Sequence, residues 1–181
     1  MMIKNKKWIL KERPMGLVKD SDFELVSEEL PEINEGEILI ENIYLSFDPT
    51  QRSWLNDVPG YLPPVQIDEV VRSGGIGRVI DSKNPDYKTG DLTFGLVGWQ
   101  THCLTKPSVE DRFRVIPDLL PMPTMLNVMG STGITAYYGL VELGKPKSGE
   151  TVLVSGAAGA TGSVVVQIAK LKGCHVIGIA G

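Results

Sequence analysis

Seven residues near the end of this 181-residue chain, Gly156-Ala157-Ala158-Gly159-Ala160-Thr161-Gly162, have the composition of a loop that can hold an anion. Glycines permit a sharp turn and let a phosphate approach the backbone without meeting a Cβ. A helix opening at such a loop aims free N–H groups and the positive end of its dipole at that anion. The glycines are spaced three apart, so the G-x-G-x-x-G pattern is broken at Ala157. On its own the run is equally compatible with an ordinary turn, and only its flanks can decide.

Those flanks read as strand, helix and strand. Thr151 to Val154 is a short apolar, β-branched run, which predicts a strand buried on both faces. An apolar helix is expected from about Ser163 to Lys172, with Val164, Ile168 and Leu171 on one inward face. Gly173 stands where a left-handed helix stop is needed, and Cys174 to Ile179 supply a second strand. The sum is one parallel βαβ unit with a diphosphate-binding turn at its mouth, the opening portion of a dinucleotide-binding domain. Such a portion leaves a strand edge unpaired and apolar surface uncovered. We therefore expect it to be catalytically inactive alone and to cover its edge by swapping or pairing with a second copy.

Before this unit the chain is β-rich. Lys7 to Leu10, Phe23 to Glu28, Glu37 to Phe47, Ile76 to Asp81, Leu92 to Val97 and Gln100 to Thr105 are the strand candidates, separated by turns rich in Gly, Pro and Asn. Many short strands with such turns argue a barrel or sandwich. Pro117, Pro121 and Pro123 mark a change of character, followed by a helical pattern from Thr132 to Leu143 that ends at Gly144. This predicts a β domain over 1–120 and the start of an α/β domain over 121–181.

Composition narrows the function classes. A net charge of −4 without a basic patch gives no electrostatic case for nucleic acid. The apolar runs are too short to span a bilayer and Trp8-Ile9-Leu10 is too short for a signal peptide, so no membrane partner and a cytoplasmic protein are expected. Cys103 and Cys174 are far apart and there are two histidines, which leaves no disulfide framework and no metal site.

Several local stretches carry a family resemblance. Tyr44-Leu45-Ser46-Phe47-Asp48-Pro49-Thr50-Gln51-Arg52 resembles the L-S-x-D-P-x-x-R segment of the zinc-independent medium-chain dehydrogenase/reductases, in the leukotriene B4 dehydrogenase, prostaglandin reductase and alkenal double-bond reductase branch. Pro85-Asp86-Tyr87-Lys88-Thr89-Gly90-Asp91, Gly133-Ile134-Thr135-Ala136-Tyr137, Ala158-Gly159-Ala160-Thr161-Gly162-Ser163 and Gln167-Ile168-Ala169-Lys170-Leu171-Lys172-Gly173-Cys174 extend it over nearly the whole chain. The resemblance implies a GroES-like barrel followed by the first βαβ unit of a Rossmann domain. It also implies NADP(H) as cofactor and a small conjugated carbonyl as substrate, with hydride delivered to the β-carbon of its C=C bond and no zinc. A homodimer is implied for the full-length protein. An NADPH quinone reductase and a non-enzymatic nucleotide-binding or scaffold protein are the alternatives.

Residue by residue, the resemblance places Gly156, Gly159, Ala160, Thr161 and Gly162 at the cofactor phosphates and Thr132 and Thr135 beside the nicotinamide. Either threonine could instead cap a helix or satisfy a local carbonyl. Tyr44 corresponds to a tyrosine at the substrate cleft, or packs within its strand, and Tyr61 lines the cleft mouth or is a loop aromatic. Asp48 and Arg52, four apart, are expected to form a local ion pair. Thr50 and Gln51 stand where the family often has Tyr and Met.

Overall fold

The computed structural model describes residues 3–181, which divide along the chain into two compact units, the first ending at Asp118 and the second beginning at Leu119. In the first unit β1 (Lys4–Leu10) and β2 (Phe23–Glu29) form an antiparallel hairpin with Trp8 opposite Leu25. β3 (Ile38–Leu45), β4 (Gly74–Ser82), β5 (Leu92–Leu96), β6 (His102–Thr105) and β7 (Arg114–Val115) form a five-stranded sheet in the order β6-β3-β4-β5-β7. The hairpin is tied to it by backbone bonds from Trp8 N to the Trp99 carbonyl (2.8 Å), Val71 N to the Trp8 carbonyl (2.9 Å) and Thr101 N to the Lys6 carbonyl (2.8 Å). The six strands read from the sequence are present, each within a few residues of expectation, and the two-residue β7 is an addition to them.

Alternation explains the core. Ile38 and Ile40 are two apart on β3, so both point inward and are fully buried, packing with Val79, Val97, Cys103 and Phe113. A second cluster joins Leu10, Leu55, Val65 and Val71 to the partly buried Phe23, Trp54 and Trp99. The β3–β4 ladder slips twice, once between Leu39 and Ile40 and once between Asn42 and Tyr44. Leu39 faces Asp81 but Ile40 faces Val79, whereas Asn42 faces Gly77 and Tyr44 faces Ile76.

A short helix here also has no counterpart in the sequence reading. α1 (Thr50–Trp54) is five residues long, too short to show a periodicity. Its Gln51 is buried, with Nε2 donating to the Ser46 carbonyl (2.7 Å) and to Ser73 Oγ (3.0 Å). The expected Asp48–Arg52 pair does not form. The helix begins after Pro49, so Asp48 lies outside it and the four-residue spacing no longer puts the two side chains on one face. Arg52 instead donates to the carbonyls of Pro14 (3.2 Å) and Gly16 (2.9 Å) and to Asn56 Oδ1 (2.6 Å), while Asp48 accepts from Ser46 Oγ.

The second unit contains α2 (Met122–Leu126), α3 (Ser131–Tyr137), β8 (Thr151–Ser155), α4 (Ala160–Leu171) and β9 (His175–Ile179). β8 and β9 are parallel, Thr151 opposite His175 and Ser155 opposite Ile179. α4 packs on both strands and on α3. Four expectations are corrected. β8 is not buried on both faces: Val154 is buried, but Leu153 and its cross-strand partner Ile177 are more than half exposed, because both helices lie on the other side. The helix predicted from Thr132 to Leu143 is α-helical only to Tyr137 and widens to a π-helix over Tyr138–Gly144; it ends at Gly144 as expected, but the left-handed residue that caps it is Lys145 (φ 48°). α4 opens at Ala160, three residues before the expected start. Its inward face holds Val164 and Ala169, whereas Leu171 is exposed: the chain turns back over Ala169, whose carbonyl accepts from Cys174 N, and leaves Leu171 outside. Gly173 has the expected positive φ of 78°.

Candidate functional site

The glycine turn joins the carboxyl end of β8 to α4. Gly156 has φ 61°, the left-handed region that a residue with a Cβ resists. Gly159 N donates to the Gly156 carbonyl (2.9 Å), and Ala157 N donates to the Ile179 carbonyl at the end of β9 (3.0 Å). The turn is therefore pinned at both strand ends. Gly159 is the N-cap of α4, with extended backbone and no side chain to cap the helix. A Cβ on Gly162 would overlap the Gly156 carbonyl oxygen, so the first turn of α4 sits directly on the loop.

This packing leaves donors without acceptors. The first intrahelical-type bond runs from Ser163 N to the Gly159 carbonyl (2.9 Å), and the amides of Ala160, Thr161 and Gly162 have no partner among the described residues. No acidic side chain stands in the first turn of α4 to satisfy the helix dipole internally. Three unpaired N–H groups at a positive helix end, next to the Cβ-free Gly156, Gly159 and Gly162, fit a diphosphate.

Beside the turn, α3, β8 and α4 enclose a groove of about 400 Å³ lined by Thr135, Ala136, Ser155, Thr161 and Val165 among others. That size suits part of a small ligand. The groove brings Thr135 and Thr161 together. The Thr135 hydroxyl donates to the Ser131 carbonyl (2.7 Å), so only its oxygen lone pairs are left for a ligand. Thr132 donates to the Asn127 carbonyl (2.9 Å) and is not among the residues lining the groove. Ser155 was not singled out in the sequence; its place at the carboxyl end of the first βαβ strand was the available signal.

Tyr44 lies in the first unit, in β3 just past the second ladder slip, and is 42% exposed with no hydrogen bond to its hydroxyl among the described residues. Tyr61 is also exposed, edge-on to Trp54 at 6.3 Å. Cys103 is buried, which pushes its thiol up to about 12, with the Asp111 carboxylate adding to the effect. A thiol so held is a poor nucleophile and a poor metal ligand. Among the described residues no helix is long and apolar enough to cross a membrane.

Residues 6–111 match the family described as the N-terminal domain of oxidoreductase. The chain is 40% identical to NADPH-dependent curcumin reductase of Escherichia coli over 178 residues, 98% of this chain and 51% of that protein. It is 42% identical to prostaglandin reductase 1 of Oryctolagus cuniculus over 181 residues, 99% of this chain and 50% of that one. Among solved structures, CurA in complex with NADPH from Vibrio vulnificus is similar at a TM-score of 0.86 and 38% identity, covering 97% of this chain and 52% of the other. The chain spans about half the length of the curated relatives it matches.

Proposed function

The chain belongs to the zinc-independent medium-chain dehydrogenase/reductases, as a GroES-like barrel followed by the start of a Rossmann domain, and from that premise we propose that the full-length protein reduces the C=C bond of α,β-unsaturated aldehydes and ketones with NADPH. The observation that carries the proposal is the set of three unpaired amides at Ala160, Thr161 and Gly162, set where two parallel strands end. Names of relatives support it: two similar proteins are an NADPH-dependent curcumin reductase and a prostaglandin reductase.

When bound, the dinucleotide supplies the hydride that goes to the β-carbon. The chain's part is to bind and orient. The amides of Ala160 to Gly162 hold the diphosphate, each charge-assisted bond being worth about 1.5–3 kcal/mol. Gly156 and Gly159 keep the approach open. Thr135, its proton committed to Ser131, offers an acceptor oxygen to the amide group of the nicotinamide, and Thr132 stiffens the start of α3 through Asn127. Tyr44 offers a phenol donor at the substrate cleft, where negative charge develops on the carbonyl oxygen as hydride arrives.

The proposal extends to a homodimeric full-length protein and to an inactive 181-residue portion. The deciding experiment gives the full-length protein NADPH with hex-2-enal and, separately, with a quinone, and identifies the products. Saturated aldehyde, with label from a deuterated cofactor at the β-carbon, is expected. Allylic alcohol as product, or turnover of the quinone alone, overturns the proposal, and failure to bind NADPH favours a scaffold.

A further inference from the structure

The second strand of the βαβ unit holds a glycine that its own backbone does not require. β9 reads His175-Val176-Ile177-Gly178-Ile179, and a glycine inside a strand weakens it, having no side chain to pack and more freedom to lose. No left-handed conformation calls for it: the glycines of this unit with positive φ are Gly149, Gly156 and Gly173. Gly178 stands opposite Val154, the buried residue of β8, so its missing side chain belongs to the face on which α4 packs.

What occupies that place is Ala157 of the glycine turn. A Cβ on Gly178 would lie 2.8 Å from the Ala157 methyl carbon. Carbon atoms ordinarily keep about 3.5–4.0 Å apart. A methyl has no other rotamer to adopt, so relief has to come from the backbone of the turn. That backbone is tied at the same point, where Ala157 N donates to the carbonyl of Ile179, one residue past Gly178 (3.0 Å). Lifting the turn off β9 stretches this bond and displaces the amides of Ala160 to Gly162 that follow it. Counted back from Gly162, a G-x-G-x-x-G run would have its first glycine at 157, where this chain has alanine. The glycine missing from the turn is found on the strand that faces it.

We propose that Gly178 is a positioning residue for the cofactor. It receives the Ala157 methyl and so seats the phosphate turn against the end of β9, with the unpaired amides set for the diphosphate. The inference rests on the reading of the turn as a dinucleotide site. Its requirement belongs to the pair: one of the two positions must lack a Cβ, and either will serve.

The test compares four forms of the full-length protein: the parent, Gly178→Ala, Ala157→Gly and the double variant. Calorimetric titration with NADPH is expected to show about tenfold weaker binding in Gly178→Ala, the equivalent of one misaligned charge-assisted bond. The double variant should return to within about threefold of the parent, because the two sites are coupled by direct contact. The KM for NADPH should rise with the dissociation constant while kcat changes by less than about twofold, as for binding shared by ground and transition states. Hydrogen exchange at the Ala157 amide, followed without NADPH, should quicken in Gly178→Ala and slow again in the double variant. Undiminished NADPH binding in Gly178→Ala, or a defect that Ala157→Gly does not relieve, overturns the proposal. Should Gly178→Ala fail to fold, a double variant that folds and binds NADPH supports it, and one that does not overturns it. A parent protein that binds no NADPH sinks the dinucleotide reading instead, and amide exchange then decides whether Gly178 seats the turn.

Discussion

Substituting Gly162 by Ala probes the phosphate turn at its tightest point. The added Cβ would lie 2.9 Å from the Gly156 carbonyl carbon and 3.0 Å from Ala157 Cα, and closer still to the Gly156 oxygen. Carbon atoms ordinarily sit about 3.5–4.0 Å apart, so the helix start and the loop must separate by roughly 0.5–1 Å. The obstacle is backbone pinned at both ends, by Gly159 N on one side and by Ala157 N to Ile179 on the other, so it cannot rotate aside. Overpacking of this kind costs about 1–3 kcal/mol of stability. The same displacement tilts the amides of Ala160 to Gly162 away from their common focus. Loss of the geometry of even one charge-assisted bond, about 1.5–3 kcal/mol, weakens dinucleotide binding by roughly 10- to 100-fold. Thermal unfolding of the chain reads the first effect and calorimetric titration of the full-length protein with NADPH reads the second. Gly139→Ala, where the new Cβ meets nothing within 4 Å, is the control and should change stability by less than about 1 kcal/mol. A Gly162→Ala protein that melts normally and binds NADPH undiminished refutes the account of the turn.

Three other outcomes follow from features of single side chains. Cys103 keeps its proton in the folded chain up to about pH 12, whereas an unfolded thiol releases it near 9.0. Its contribution is therefore intact below about pH 9 and is lost as pH rises toward 12, at about 1.4 kcal/mol per unit. Denaturant melts at pH 8 and 10.5 should show a fall that is smaller by roughly 2 kcal/mol in Cys103→Ala; an equal fall in both proteins speaks against it. Gln51 Oε1 is a buried acceptor with no donor, and the Ser46 carbonyl still receives Ser73 Oγ (2.8 Å) when the amide is gone. Gln51→Met should thus stay within about 1 kcal/mol of the parent chain while Gln51→Ala loses about 2–3, and chemical denaturation showing equal losses would count against this reading. Lys145→Gly relieves a left-handed lysine at φ 48° and should raise the thermal midpoint, by about 0.5–1 kcal/mol in stability; a lower midpoint would mean that the lysine side chain matters more than its backbone.

What could be read from the residues was what is local. The strand, glycine turn, helix and strand from Thr151 to Ile179 declare themselves because each signal lies within a few positions of its effect, and the strands did form in parallel. Failures came where a neighbour from elsewhere decides. Leu171 has the right spacing for burial, but the backbone returning past Gly173 covers Ala169 instead. Spacing alone paired Asp48 with Arg52, since nothing in the sequence says that the helix starts after Pro49 or that the Pro14 and Gly16 carbonyls wait nearby. The Phe47–Trp99 pair joins residues 52 positions apart, and no periodicity encodes such a meeting. Of the site, the glycine turn was legible and its groove was not: Ser155 and Thr135 line one groove only because α3 and β8 both pack on α4.

The two slips in the β3–β4 ladder have opposite sense, since the first skips Ile80 on β4 and the second skips Ile43 on β3. They cancel, and the strand ends regain the frame they began in. Deleting either odd residue alone would reverse the side of the sheet on which everything downstream emerges, exchanging Tyr44 and Ser46 with Leu45 and Phe47. Insertions and deletions in this pair are thus tolerable only as matched events, and any recombination that crosses between β3 and β4 must carry both irregularities or neither.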